Sequence, residues 1–260
     1  VWVMHSSVND FKEDWLLQHA ERILALRAKA VIGVTQKNID EYVQVVGEPP
    51  SLCFVVPNGV DASRFRIGES AVVEHVAGAA VGEEEDMPRD KLIVQIGRYT
   101  PEKSQVATVR AFKRVLEHEP HARLLLCGII ENRAYYAALT ALVDELGLGA
   151  HVELKGPQAD VAKILGSASV FAMPSSFEAH SIGFLEALAS GIPIVANSIA
   201  AFTFARAYAG VQLIDTGNTE LYGRALIAAL AEPRAERLLD RLTLEDTANR
   251  YLDIAWQVLG

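Results

Sequence analysis

Short β-rich runs alternate with longer segments of helical period along most of this 260-residue chain. The alternation is most regular after residue 91, where strands are predicted over 92–96, 123–127, 152–154, 170–173, 194–196 and 211–214. Helices are predicted over 104–117, 133–146, 160–165, 182–190 and near 201–208, and from Thr219 and Leu244 onward. Such alternation is typical of βαβ crossovers, so it predicts an α/β fold with a complete doubly wound parallel sheet.

The first part of the chain shows the same alternation over a shorter length. Strands are predicted over 1–4, 30–34 and 52–56, and helices over 10–27 and 35–46, the latter behind a Thr35 cap. Three strands are too few for a sheet covered on both faces. From 57 to 90 the pattern breaks at a Pro-Asn-Gly turn and an acidic run over 83–86. We therefore expect a boundary or a variable insertion in this stretch.

Composition limits the classes of function. Lysine and arginine number 24 against 33 acidic residues, giving a net charge of −9, which disfavours a general nucleic-acid binder. The two cysteines, Cys53 and Cys127, lie in apolar runs and are predicted to be buried thiols, which favours a cytoplasmic setting. No metal-ligand spacing and no apolar run of about 18–20 residues occurs in the sequence. The chain begins inside a strand-like run at Val1, without a signal peptide, so we expect it to be part of a longer protein.

Ligands of doubly wound sheets bind at the carboxyl ends of the strands, and two loops there carry candidate residues. The glycine-rich motifs of nicotinamide dehydrogenases and P-loop NTPases and the nucleophile motif of serine hydrolases are all absent. The first loop runs from Gly97 to Ser104, and in it Arg98 and Lys103 flank the start of a predicted helix. Because a helix N-terminus also favours anions, a diphosphate would fit between these cations. The alternative is that both cations are simply solvated.

The second loop leads from Pro174 into the predicted helix 182–190 and contains two glutamates, Glu178 and Glu186. A helical projection places Ile182 on an apolar stripe with Leu185, Leu188 and Ala189. A second face has no bulky side chain and is formed by Gly183, Glu186, Ala187 and Ser190. Ionised carboxylates only accept hydrogen bonds, so sugar hydroxyls are suitable partners for a glutamate on such a face. The alternatives are a structural carboxylate at Glu186 and, at Glu178, an acid favoured by the helix dipole.

Three motifs in the right order resemble retaining glycosyltransferases of the GT-B fold, specifically the group 1, family 4-like enzymes. Glu178 and Glu186 are separated by seven residues, as in the family's E-x7-E motif. Gly-Arg-Tyr-Thr-Pro-Glu-Lys at 97–103 is similar to its diphosphate loop, and Pro-Asn-Gly-Val-Asp at 57–61 to a segment before its interdomain linker. The resemblance covers most of the chain. It is nearest to the group that includes phosphatidylinositol mannosyltransferases and polysaccharide-building enzymes.

The resemblance implies a domain organisation. Residues 1–66 would be the last part of the acceptor-side Rossmann-like domain, 67–90 a linker or insertion and 91–243 the donor-binding domain. The final segment, 244–260, would be a helix that crosses back to the first domain. Family members carry about a hundred more residues before the position of Val1, so the resemblance implies a truncated acceptor domain. On that basis we expect this chain to bind donor without transferring sugar.

Site roles also follow from the resemblance. Gly97, Arg98 and Lys103 would hold the donor diphosphate, Glu186 would accept from ribose hydroxyls and Glu178 from the transferred sugar. Arg98 and Lys103 would also stabilise the charge of the leaving diphosphate, so the candidate catalytic residues are His5, Arg98, Lys103 and Glu178. His5 resembles the family histidine that faces the donor sugar; an ordinary histidine at a strand end is the alternative. The family's Gly-Phe-Gly is replaced by 179–181, so His180, Ser181 and Ile182 are candidate donor contacts whose chemistry departs from the family pattern, and a histidine without a role is an alternative at His180.

The activity that the resemblance implies is transfer of a sugar from a UDP-, GDP- or ADP-linked donor to a hydroxyl of a carbohydrate or lipid-linked acceptor, with retention of configuration. It requires neither a cofactor nor a metal. No nucleic-acid partner is expected, whereas peripheral membrane association of the full-length protein is. Two alternatives are a non-catalytic sugar-nucleotide-binding module and a GT-B sugar-nucleotide epimerase.

Overall fold

The computed structural model of the chain describes residues 1–4, 23, 27–46, 52–65 and 91–260. The chain divides into two compact units. The first comprises Val1–Asp61, Glu178–Leu185 and Leu239–Gly260, and the second comprises Ala62–Phe177 and Glu186–Leu238. The predicted helix over 10–27 lies almost wholly outside the described residues, and so do the predicted linker over 67–90 and its acidic run.

The first unit contains a parallel three-stranded sheet. Its strands are β1 (Trp2–Met4), β2 (Ala30–Gly33) and β3 (Leu52–Val55), in the order β1-β2-β3. The described residues of this unit include the helices α1 (Gln36–Val46) and α7 (Leu244–Leu259), the last helix of the chain, and the first part of α5 (Ile182–Ala189). Because side chains alternate along a strand, Val31 of β2 packs with residues of α1, and the next residue, Ile32, packs with Ile254 of α7. Both faces of β2 are therefore buried.

The Pro-Asn-Gly-Val-Asp segment at 57–61 follows β3 and is hydrogen-bonded to residues at the start of α7. Val60 donates from its amide to the carbonyl of Leu242 at 2.9 Å, and the hydroxyl of Thr247 donates to the carbonyl of Pro57 at 3.0 Å. A Cβ atom at Gly59 would lie 2.1 Å from the carbonyl oxygen of Thr243. Only glycine allows the two backbones to approach this closely, which explains the residue type at this position.

The second unit is a six-stranded parallel sheet in the order β6-β5-β4-β7-β8-β9. Its strands are β4 (Leu92–Ile96), β5 (Arg123–Cys127), β6 (Val152–Lys155), β7 (Val170–Met173), β8 (Ile194–Asn197) and β9 (Val211–Ile214). Its helices are α2 (Gln105–His118), α3 (Arg133–Glu145), α4 (Val161–Ser167), the part of α5 (Ile182–Ala189) from Glu186 onward, and α6 (Thr219–Ala229). In its described residues, 3-10 turns occupy Ala62–Phe65, Pro101–Lys103 and Ala200–Ala205.

The strand order confirms the predicted doubly wound sheet. It runs outward from β4 on one side and from β7 on the other, so the order reverses between these two strands. A reversal of this kind opens a crevice at the carboxyl ends of the strands, where ligands of such folds bind. The two loops singled out from the sequence follow β4 and β7, and therefore flank this crevice.

The two cysteines differ in burial. Cys127, at the end of β5, is 2% exposed, which confirms the prediction, and burial raises the pKa of its thiol to about 11. The prediction for Cys53 is wrong, because this thiol is exposed. In the described sheet β3 has a strand on one side only, so Cys53 is exposed although it lies on the same face as its register partner Val31, which packs against α1. An apolar run does not reveal which of its residues faces solvent.

Candidate functional site

The loop after β4 is bound to the loop after β5 through backbone hydrogen bonds. The amide of Gly97 donates to the carbonyl of Cys127 at 2.9 Å, and the amide of Tyr99 donates to that of Ile129 at 2.8 Å. The carbonyl of Tyr99 accepts in return from the amide of Asn132 at 3.1 Å. The loop that carries the two candidate cations is therefore fixed along its first half.

The side chain of Tyr99 anchors this loop in the core. It is fully buried, and its hydroxyl lies 2.7 Å from the carbonyl of Leu126 and 2.9 Å from that of Lys155, so it joins the ends of β5 and β6. Its ring contacts Tyr136 edge to face, with the centroids 4.8 Å apart. Burial raises the pKa of this hydroxyl, which keeps it neutral and able to donate.

The residue with a left-handed backbone in this loop is Ser104, not the glycine at its start. The φ angle of Gly97 is outside the left-handed region, whereas Ser104, with φ 51°, occupies it. A left-handed non-glycine residue costs about 1–2 kcal/mol, so the surrounding structure must hold Ser104 in place. Close approach requires a glycine instead at Gly128, where a Cβ atom would lie 2.0 Å from the carbonyl oxygen of Gly97.

The two candidate cations differ in environment. Arg98 is exposed and pairs with Glu131 of the next loop, with Nη1 2.6 Å from Oε2. Lys103 is half-buried and ends the 3-10 turn, and its aliphatic chain would be in van der Waals contact with a Cβ atom built at Gly97. Two amides at the start of α2 already have acceptors: Val106 donates to the Tyr135 hydroxyl at 3.3 Å, and Ala107 donates to the Ser104 carbonyl at 2.9 Å. These two amides are therefore already hydrogen-bonded within the protein.

The loop after β7 contacts the loop after β4 directly. The amide of Ser176 donates to the carbonyl of Glu102 at 2.8 Å. The preceding residue, Ser175, is fully buried, and its carbonyl accepts from the side-chain amide of Asn197, at the end of β8, at 3.1 Å. The hydroxyl of Thr216, after β9, points to the carbonyl of Pro174 at 3.4 Å. Hydrogen bonds therefore connect the carboxyl ends of four strands at this edge.

Glu178, His180 and Ser181 lie between β7 and α5. Glu178 and His180 are half-buried, and burial lowers the pKa of the His180 ring, so this ring is neutral at pH 7. The carbonyl of His180 accepts from the side-chain amide of Asn58 at 2.8 Å. Ser181 caps α5: its carbonyl accepts from the amide of Leu185 at 3.2 Å, and its hydroxyl lies 3.4 Å from the amide of Phe184.

Helix α5 places Glu186 on a narrower open face than we predicted. Ile182 is 54% exposed, so its assignment to the apolar stripe is wrong; it lies in the first turn of the helix. Ala187 is buried too, although we placed it on the open face. Gly183 and Glu186, one turn apart, remain accessible, and a Cβ atom at Gly183 would meet nothing within 4 Å. Burial raises the pKa of Glu186 and the charge of Arg64 partly offsets the rise.

Sequence reasoning missed several polar residues that fix these loops, including Asn58, Gln95, Gln105 and Arg237. Arg237 donates to the carbonyls of Ala187 and Leu188 at 3.4 and 3.3 Å, and so caps the end of α5. The Asn of a Pro-Asn-Gly turn was a detectable signal, whereas a buried glutamine has no signature in sequence. His5, our remaining candidate, lies outside the described residues.

Clusters of metal ligands and membrane-spanning helices are both absent from the described part of the chain. No group of three or more His, Cys, Asp or Glu side chains there is arranged to hold a metal ion. None of the helices over the same residues combines the length and the apolar character that crossing a bilayer requires.

The chain is similar to curated glycosyltransferases and to solved GT-B structures. The D-inositol 3-phosphate glycosyltransferase of Segniliparus rotundus is 28% identical over 223 residues, which cover 84% of this chain and 48% of that protein. The Rhodococcus opacus protein of the same name is 27% identical over 259 residues, 94% of this chain and 56% of that protein. The chain thus spans about half the length of the curated relatives it matches.

Among solved structures, Anabaena Alr3699/HepE in complex with UDP-glucose matches with a TM-score of 0.73 and 18% sequence identity, covering 98% of this chain and 71% of that one. This likeness supports the α/β fold with parallel sheets seen in GT-B glycosyltransferases. The profile of the family described as glycosyl transferases group 1 matches residues 82–241, and the chain belongs to that family.

Proposed function

We propose that the full-length protein is a retaining glycosyltransferase that moves a sugar from a nucleoside diphosphate to a hydroxyl acceptor, in polysaccharide or glycolipid synthesis. One observation carries the proposal: the loops after β4 and β7, which flank the reversal of strand order, are joined by the hydrogen bond from Ser176 to Glu102. The first loop carries Arg98 and Lys103, and the second leads to Glu178 and Glu186.

In this proposal Arg98 and Lys103 bind the donor diphosphate. As the bond between sugar and phosphate breaks, negative charge grows on the leaving diphosphate, and preorganised cations stabilise that charge more than the ground state. Because Tyr99 and the backbone bonds to the β5 loop fix the first half of the loop, the reorganisation needed during reaction is small. A protein-bound metal is not required, so we expect EDTA to leave donor binding unchanged.

The two glutamates have separate roles. Glu186, half-buried beside the accessible Gly183, accepts from the ribose hydroxyls, and Glu178 accepts from hydroxyls of the transferred sugar. The thiols of Cys53 and Cys127 are consistent with a cytoplasmic setting, which is part of the proposal. Solved structures with this fold contain UDP or UDP-glucose, and two relatives are named D-inositol 3-phosphate glycosyltransferases. UDP-glucose is therefore the first donor to assay, and D-inositol 3-phosphate is the first acceptor.

Calorimetry tests the diphosphate assignment. UDP, GDP and ADP are titrated into the wild type, Arg98→Met and Lys103→Met, and the corresponding nucleosides are titrated separately. We expect each substitution to weaken the binding of a diphosphate by about tenfold or more and that of its nucleoside much less, since charge-assisted contacts contribute about 1.5–3 kcal/mol. Lys91→Met is the matched control, because Lys91 lies at the amino end of β4, away from the carboxyl ends of the strands where the candidate loops lie. Its ammonium group pairs with Glu119. Equal losses for diphosphate and nucleoside would refute the assignment.

The reaction itself is tested with the full-length protein, a panel of labelled nucleotide sugars, and inositol phosphate or lipid-linked acceptors. A labelled product attached to acceptor, with its anomeric configuration determined by NMR, supports retaining transfer. Free epimerised sugar nucleotide would indicate an epimerase instead. Binding without any turnover of donor would indicate a non-catalytic sugar-nucleotide module.

A further inference from the structure

Two buried glutamines reach across the loop 97–104 from its opposite ends. Gln95, in β4, donates from Nε2 to the carbonyl of Lys103 at 2.7 Å. Gln105, the first residue of α2, donates from Nε2 to the carbonyl of Arg98 at 2.8 Å. Each glutamine is 1% exposed. A residue of the strand before the loop thus binds the loop's end, and the first residue of the helix after it binds the loop's beginning.

The amide of Gln95 is oriented by a chain of buried hydroxyls. Its Oε1 accepts from the hydroxyl of Thr108 in α2 at 2.7 Å, and that hydroxyl lies 3.1 Å from the hydroxyl of Tyr222 in α6. Thr108 has one proton, which it gives to Gln95, so Tyr222 is the donor in the second bond. Both hydroxyl-bearing residues are fully buried. With its oxygen occupied in this way, the amide can present only its nitrogen to Lys103.

The side-chain amide of Gln105 is held through its nitrogen, which donates to Arg98. Among the described residues no partner lies within hydrogen-bonding distance of its buried Oε1. Its bond to Arg98 therefore contributes less rigidity than the three-residue chain behind Gln95. Between the two glutamines lies Ser104, in the left-handed region, a conformation that persists only when neighbouring contacts impose it.

We propose that Gln95 and Gln105 are positioning residues for the binding of the donor diphosphate, which they support by fixing the backbone carbonyls of Lys103 and Arg98. The inference rests on the proposed function, because it assigns the glutamines a role only through the two cations. Neither glutamine contacts the ligand. Without the bond from Gln95, the end of the loop relaxes and the Lys103 ammonium samples positions in which it does not contact the phosphates.

The test compares Gln95→Met, Gln105→Met, Lys103→Met and Tyr222→Phe. Methionine keeps the length of glutamine and removes the amide. Tyr222→Phe is the matched control, because it also deletes a buried hydrogen bond next to Gln95, yet Thr108 still donates to Gln95 and the bond from Gln95 to Lys103 stays intact. For each variant, calorimetry gives the affinities for UDP, GDP and ADP and for their nucleosides, and thermal unfolding gives the midpoint.

We expect Gln95→Met to weaken diphosphate binding by about three- to tenfold and Gln105→Met by a smaller factor, with little change for the nucleosides, because misplaced groups lose affinity steeply. Tyr222→Phe should lower the unfolding midpoint and leave the ratio of diphosphate to nucleoside affinity unchanged. A purely structural role would lower the midpoint for the glutamine variants as well but would not change that ratio.

The outcomes separate the two proposals. If Lys103→Met weakens diphosphate binding while both glutamine variants retain the wild-type ratio, the positioning role is refuted and the proposed function stands. If Lys103→Met leaves the ratio unchanged, the diphosphate assignment fails, and the positioning role fails with it. Should Gln95→Met not fold, Gln105→Met decides by the same ratio.

Discussion

The side-chain amide of Asn58 donates a 2.8 Å hydrogen bond to the backbone carbonyl of His180, a residue 122 positions later in the chain. Asn58 belongs to the Pro-Asn-Gly turn after β3, and His180 to the segment that leads into α5. Two motifs that are distant in sequence are therefore joined by one polar contact within the first unit. Because a carbonyl oxygen only accepts hydrogen bonds, Asn58 can bind it through Nδ2 but not through its side-chain oxygen.

The first prediction concerns this contact. Asn58→Asp is nearly isosteric but places an acceptor against the His180 carbonyl, so it should lower the free energy of unfolding by about 1–3 kcal/mol in urea titrations. Asn132→Asp is the matched control, since the Asn132 side chain accepts from the amide of Tyr135 as the cap of α3, and aspartate caps equally well. Equal stability of the two variants would contradict a donor role for Asn58.

The second prediction concerns Gly128. Gly128→Ala places a Cβ atom 2.0 Å from the carbonyl oxygen of Gly97, and because both groups are backbone, the β4 and β5 loops must move apart. We expect a loss of stability of about 1–3 kcal/mol or more, and weaker binding of nucleoside diphosphates because the loop of Arg98 is displaced. Gly156→Ala, where a Cβ atom meets nothing within 4 Å, should change neither quantity. Wild-type stability for Gly128→Ala would rule out the close approach.

The third prediction concerns the ion pair between Arg98 and Glu131. The two side chains are 54% and 49% exposed, so the pair contributes about 0–1 kcal/mol and competes with an incoming phosphate for the guanidinium. Glu131→Gln should therefore strengthen diphosphate binding by up to about fivefold at low salt, with a smaller gain at high salt. Calorimetry at two ionic strengths measures this difference. Weaker binding by the variant would mean that Glu131 assists, rather than competes with, the ligand.

The fourth prediction is a pH dependence of nucleoside binding through Glu186. Burial raises the pKa of this carboxyl above its ordinary 4.5, so it becomes protonated at a higher pH than an exposed glutamate does. Ribonucleoside affinity should fall as the pH drops toward this raised pKa, because the protonated carboxyl accepts fewer hydrogen bonds. Glu186→Gln should bind weakly at every pH, and 2′,3′-dideoxynucleosides should show no such dependence.

The same pKa shift has a consequence for stability with the opposite pH trend. A raised acid pKa means that the folded state binds the proton more tightly, so this contribution to stability is present below pH 4.5 and is lost as the pH rises through the raised pKa. Glu186→Gln should therefore be more stable than the wild type at pH 7, although it binds ribonucleosides less well.

Arg64→Met should move the midpoint of the pH profile of ribonucleoside binding to higher pH, because the charge of Arg64 lowers the pKa of Glu186.

Much of the second unit could be predicted from the sequence. The bounds of β4, β5, β7 and β9 agree residue for residue with the runs 92–96, 123–127, 170–173 and 211–214. Buried parallel strands are continuous apolar runs, and the helices between them follow the helical period, so both signals are local. The two candidate loops followed from the same alternation, because a parallel sheet brings the carboxyl ends of its strands to one edge.

Tertiary structure decided which residues within those elements face solvent and which hold the loops. The exposure of Cys53 depends on the edge position of β3, and that of Ile182 depends on its place in the first turn of α5; neither is encoded in local pattern. The bond from Gln95 to Lys103 joins residues on opposite sides of a loop, and the Gln95 amide is oriented by the hydroxyl of Thr108, which lies on a helix. Periodicity depends on neighbours along the chain and can be recognised in sequence, whereas buried hydrogen bonds depend on which segments meet in space.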